Sequence, residues 1–439
     1  VLAGHTSLDL TASSITLNGT ATDAVFNNLD LSLPIINIAT ASNIIIDTTP
    51  PQIASIISTT PNGAYPIGQL ITVKINFSEP ITLIGTMDLN LDSGGLVVIN
   101  SFSGTTATGI YTVLAGQNSP DLSVTGVTVS GTASDMATNA LVLTLPVTNI
   151  NTGSDIIIDT ISPVITSITS LTADGVYKAG SNISVRINFS ESITLIGTMG
   201  VNLDTSGVVE ISAFTGTTAT GTYTVLAGHN SLDLNATSVL VTGTAMDIAT
   251  NSLLTTLPLI NITTGSSIVI DTIAPFFLSI TSLTPDGTYG VGATINVNLN
   301  FSESISLVGN MSVALDSGGS LTVNAFASAT QASGTYTVGA LQTSLDLKVN
   351  SVTVLGTSAD AVGNLLITTI PVTNINTGSN IIIDTTPPTI TSITSLTANG
   401  TYSAGNMIDI TLNFSDPLTL IGTMTISLDS GGSVVISSF

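Results

Sequence analysis

The chain has 439 residues, 43 % of them apolar, and sets four Lys and Arg against twenty-seven Asp and Glu, a formal charge of −23. That charge repels nucleic-acid phosphates and anionic lipid headgroups, and no run approaches the roughly 18 uninterrupted apolar residues that a membrane helix requires. Cysteine is absent, which removes disulfides and thiolate metal sites.

Asp-Thr-x-x-Pro occurs at Asp47, Asp159, Asp271 and Asp384, at intervals of 112, 112 and 113 residues. The chain is therefore a tandem array of one domain-sized unit. The expected boundaries are 1–47 for the C-terminal part of a repeat, then complete repeats at 48–159, 160–271 and 272–384, and 385–439 for the N-terminal part of another. Val1 matches Val113 and Val225, while Phe439 matches Phe102, Phe214 and Phe326. Two readings accommodate these partial repeats. One is a window on a longer repeat protein; the other is a filament subunit that polymerises head to tail by strand complementation.

Along each repeat, Asn62-Gly63 and its counterparts Asp174-Gly175, Asp286-Gly287 and Asn399-Gly400 predict an early hairpin or loop. Next comes an alternating strand, Ile71, Val73, Ile75 and Phe77, repeated up to Phe189, Phe301 and Phe414. Its period of two predicts a half-buried β-strand. Asp92-Ser93-Gly94-Gly95 marks a central turn, and Leu141, Leu143 and Leu145 form a second alternation that closes on Pro146. Such runs predict about seven to nine short strands per repeat and no amphipathic helix. The expected fold is all-β, an array of immunoglobulin-like antiparallel sandwiches.

Twenty of the twenty-seven acids fall at five repeat positions. Four of these invite a metal. They are the linker Asp47, Asp159, Asp271 and Asp384; the strand-ending Glu79, Glu191, Glu303 and Asp416; Asp135, Asp247 and Asp360 (with Asp23) of an Asp-x-x-x-Asn loop; and Asp9, Asp121, Asp233 and Asp346 of a Ser-x-Asp-Leu motif. Tracing strands up and down a sandwich brings the linker, strand-end and loop acids to one pole, where the preceding unit's Ser-x-Asp-Leu loop can add its own. Gathered carboxylates repel and normally hold a cation, and Ca2+ accepts six to eight oxygen ligands in irregular geometry. Capping of turns is the simpler role for each Asp, and it is the expected role of Asp92.

The Asp-Thr-Thr-Pro-Pro junctions, the Gly-x-Tyr motif at Gly63–Tyr65 and its counterparts, Phe-Ser-Glu, and the Asp-x-x-x-Asn loop resemble the tandem immunoglobulin-like repeats of giant bacterial surface adhesins. In that family the loop more often reads Asp-x-x-Gly-Asn, which 360–364 retains and the other copies do not. The resemblance implies an extracellular rod of a secreted surface protein, stiffened by calcium at its junctions, with surface or glycan binding left to other domains.

Catalysis is not expected. His5 and His229 are replaced by Gln117 and Gln342 in the other repeats, and a catalytic base is not interchangeable with glutamine. No Trp exists to form a sugar platform. Lys74, Lys178 and Lys348 stand at unrelated repeat positions, against intramolecular Lys-Asn cross-links. Asn76, Asn188, Asn300 and Asn413 begin Asn-x-Ser sequons expected on the exposed face of the alternating strand.

Overall fold

The computed structural model describes residues 1–439. The chain is nearly all-β, and its three complete repeats share one plan. In 48–159 that plan consists of six strands: β1 (Ile53–Ser58), β2 (Gly63–Tyr65), β3 (Leu70–Leu91), β4 (Leu96–Thr112), β5 (Val124–Ser134) and β6 (Ile156–Ile158). β3 is central. It pairs antiparallel with β4 along most of its length, with β1 through its first part and with β5 through its second. β2 pairs with β6 in parallel.

Strands are thus fewer and longer than the turn signals predict. The 22 residues of β3 alternate, with Ile71, Val73, Ile75, Phe77, Ile81, Leu83, Met87, Leu89 and Leu91 all buried, and the pattern is interrupted only at half-buried Glu79 and exposed Gly85. A strand this long can serve both layers of a sandwich only by turning around the core. It does so at register shifts between Asn76 and Ile81 and between Leu83 and Thr86. Phe77 and Phe102 stack inside this bend with centroids 5.7 Å apart, as Phe189 and Phe214 do at 5.8 Å. Gly85 faces Gly131 across β3 and β5, and a Cβ on either would lie 1.9–2.0 Å from a backbone oxygen opposite. The backbones approach there as only glycine allows.

Two further expectations are corrected. Asn62-Gly63 makes no hairpin, since Gly63 starts the parallel strand β2 and Asn62 Oδ1 accepts from Asp155 N–H at 3.1 Å. The Leu141–Pro146 alternation forms no named strand. It touches the sheet through isolated bridges at Ser134–Ala140 and Gln52–Val142, and Pro146 lacks the N–H that a continuing ladder needs. One helical turn, Ile150–Gly153, follows, capped by the Asn149 side chain.

The sequon asparagines are half-buried in the complete repeats rather than exposed. Asn76, Asn188 and Asn300 donate their side-chain amides to Ser55, Ser167 and Ser279 hydroxyls at 2.7–2.9 Å. Segment 1–47 holds isolated bridges, and 385–439 holds two two-stranded antiparallel pairs. By contacts the chain divides into Val1–Gly175 with Gly180–Ile270, and Val176–Ala179 with Asp271–Phe439. No helix is long and apolar enough to cross a membrane.

Candidate metal centre

Each acid of the site is delivered by a recognisable local device. The linker aspartate comes first: Asp159 Oδ1 accepts from Ile161 N–H at 2.9 Å, a turn-capping bond repeated at Asp47, Asp271 and Asp384. The bond fixes the carboxylate's orientation at the linker. The backbone of Asp159 is fixed as well, its N–H donating to the Tyr65 carbonyl, as Asp271 does to Tyr177 and Asp384 to Tyr289. The Gly-x-Tyr strand thus holds the linker through its backbone.

The Phe-Ser-Glu motif divides its labour. Phe77 enters the core, Ser78 exchanges hydrogen bonds with Gln52 just beyond the linker, and Glu79 is left pointing at Asp47 and Asp135. Ser190 with Val164 and Ser302 with Phe276 repeat the clamp at 3.0 Å. The bend of β3 and the linker are thereby locked together: contrary to the expectation from the sequence, Glu79 ends no strand but lies within β3 at the register shift between Asn76 and Ile81.

The third acid sits in the loop after β5. Asp247 accepts from the backbone N–H and the side-chain amide of Asn251, both at 2.8 Å, and the same amide reaches the Asp159 carbonyl at 3.1 Å. Asn139 and Asn364 bridge Asp135 to the Asp47 carbonyl and Asp360 to the Asp271 carbonyl in the same way. Four-residue spacing between Asp and Asn is what closes the loop and docks it on the linker. Asp23 and Asn27 close the same loop within 1–47.

The loop needs a left-handed residue before its Asn. Gly363 fills it at φ +89°, whereas Phe26, Thr138 and Thr250 adopt φ of 66–71°. Side chains in that region carry strain, and the loop keeps its shape despite it.

The outcome is three carboxylate triads: Asp47 with Glu79 and Asp135, Asp159 with Glu191 and Asp247, and Asp271 with Glu303 and Asp360. One oxygen from each member lies within 4.8 Å of the others. Asp135, Asp247 and Asp360 are buried, at 6 %, 4 % and 9 % exposure. Burial pushes the carboxyls of Glu79, Glu191 and Glu303 upward, and the two neighbouring aspartates in each triad push them further. The residues offer oxygen alone, three negative charges in a partly desolvated space. Such a group can hold a metal ion, and its donor set fits a hard cation.

The remaining expected ligands lie outside these triads. Asp121 and Asp233 each donate a backbone N–H to a serine hydroxyl two residues earlier, Ser119 and Ser231, at 3.3 Å. A buried carboxylate oxygen of Asp121 and of Asp346 has no hydrogen-bond partner, while Asp233 accepts from Ile268 N–H. Asp9 is exposed. Asp384 and Asp416 join no group of three: Asp416 accepts from the Ser415 hydroxyl at 2.6 Å. Asp92 clamps its loop by accepting from the Ser119 hydroxyl and Ser123 N–H, as Asp204 and Asp316 do in their repeats.

The histidine position also acquires a reason. Tyr111 and Tyr336, fully buried, donate their hydroxyls to Gln117 and Gln342 at 2.8 and 2.7 Å, and Tyr223 meets His229 Nδ1 at 2.7 Å. Gln and His are interchangeable because either presents an acceptor to a buried phenol.

Fold and site together describe an all-β protein of tandem sandwich units with a recurring carboxylate triad. No protein-family model matches the chain, and no curated protein matches it.

Proposed function

We propose that the chain is a non-enzymatic structural stalk of an extracellular bacterial surface protein, in which Ca2+ bound at the three triads stiffens the joints between successive repeats. The observation that carries this reading is the recurrence of the triad, with its linker aspartate tied backward to one repeat's Gly-x-Tyr strand and forward to the next repeat's loop asparagine. An ion coordinated by the linker, the bend of the central strand and the loop restrains the linker where it would otherwise hinge. Calcium is favoured over magnesium because three carboxylates on three separate elements form an irregular oxygen set, which calcium tolerates. Zinc is disfavoured by the absence of nitrogen and sulfur donors. Small-angle scattering of the full chain with calcium and then with chelator tests the proposal. A shorter or softer particle after chelation is expected, and superimposable curves would overturn it.

A further inference from the structure

We propose that copies of this chain associate side by side through the outer edge of the strand equivalent to β4 in each complete repeat, the run 106–112, 218–224 or 331–337 of one copy pairing antiparallel with a run of another. The inference does not rest on the metal sites.

β4 pairs on one side only, with β3, and the equivalent strands Val208–Thr224 and Ser320–Thr337 likewise pair only with Asn182–Leu203 and Thr294–Leu315. No backbone hydrogen bond reaches their other side. Each is thus a strand edge of seventeen or eighteen residues whose outward N–H and C=O groups have no partner in the chain. Register shifts break the edge further up the strand, but its last seven residues pair without interruption with the central strand, from Thr106 opposite Asn76 to Thr112 opposite Leu70. The same holds from Thr218 to Thr224 and from Gln331 to Thr337. A straight run of seven residues is long enough to template another strand.

Natural edges are usually guarded by lysine, proline or inward charges. These are not. Glu210 is the only charged residue in all three strands, it lies outside the seven-residue runs, and none of the strands contains proline. Twenty of the twenty-seven acids sit at five repeat positions outside these strands, so two copies can meet at the runs without carboxylates facing one another in the seam. The runs carry no charge that would recruit a charged partner, and their exposed residues match one another, which favours a second copy as the occupant.

The side chains complement themselves. In 218–224 the exposed residues are Thr218, Thr220, Thr222 and Thr224, while Ala219, Gly221 and Tyr223 point inward. Antiparallel self-pairing about Gly221 sets threonine opposite threonine at every exposed position. The other runs set Thr108 against Ile110 and Ser333 against Thr335. Such β-branched and hydroxyl pairs are favourable across strands.

Sedimentation velocity of the full chain in calcium, from low to high micromolar concentration, tests the proposal. The wild type is expected to show a concentration-dependent rise in sedimentation coefficient. The triple variant T108K/T220K/S333K, which places a lysine on each run, should weaken association by roughly tenfold or more. A control with the same added charge at loop positions that are 95–98 % exposed, V147K/L259K/V372K, should behave as wild type. Hydrogen exchange of the wild type gives a readout that needs no variant: amides of the three runs should gain protection as concentration rises. A single non-associating species at every concentration, a lysine variant that associates like wild type, a control that loses association equally, or protection gained elsewhere but not in the runs would each overturn the proposal.

Discussion

Replacing the three triad glutamates by their neutral isosteres, E79Q/E191Q/E303Q, should reverse its effect on stability according to whether calcium is present. Each glutamate faces two aspartates with oxygens within 4.8 Å. At that distance and an effective dielectric near 20, one pair of charges repels by about 3.5 kcal/mol. The glutamates are partly solvated and salt screens the site, so the relief expected per repeat in the metal-free protein is smaller, on the order of 1–2 kcal/mol. For a unit of this size that raises the melting temperature by roughly 5–10 °C. With calcium at a hundredfold excess over its dissociation constant, the wild type gains about 2.7 kcal/mol per site by mass action, and the variant gains little. Differential scanning calorimetry in chelator and in calcium should therefore show the variant melting above wild type in the first medium and below it in the second. Destabilisation by the same amount in both would mean that the glutamates serve packing, and the electrostatic account of the site would fail.

The raised glutamate carboxyls also set a pH dependence. Their protons are held more tightly in the folded state than in the unfolded one, so this contribution is fully present below the unfolded value and is lost as pH rises through the folded one. Metal-free protein should accordingly become more stable on acidification from neutrality toward the glutamate range, while calcium affinity falls over the same window; thermal melts and calcium titrations across that range check both. T138G and T250G relieve a left-handed conformation and should each stabilise their repeat by about 0.5–1 kcal/mol, read from melting curves. N251A removes the amide that bridges Asp247 and the Asp159 carbonyl and should cost about 2 kcal/mol by the same assay, with weaker metal binding at that triad alone.

The repeat and its β character were legible because a period of 112 residues and strict alternation are written residue by residue. The convergence of Asp159, Glu191 and Asp247 could be traced for a similar reason: the central strand returns antiparallel to the first, which brings Glu191 back to the linker's pole even though it lies at a bend and not at a strand end. Strand length was not legible, since β3 turns around the core at register shifts and at the Gly85–Gly131 approach, features that depend on a distant partner strand. The Leu141–Pro146 alternation misled because periodicity reports burial of one face, and an extended segment held by two bridges satisfies that as well as a strand does. The bridge from Asn139 to the Asp47 carbonyl spans ninety-two residues, and only the recurrence of Asp and Asn four apart hinted that the pair acts as a unit.

Calcium binding measured by isothermal titration and native mass spectrometry, on wild type beside E79Q/E191Q/E303Q, bears most directly on whether the triads are metal sites. The wild type should take up calcium at all three triads and the variant at none of them. Equal uptake by the two proteins, or none by the wild type, would contradict the account.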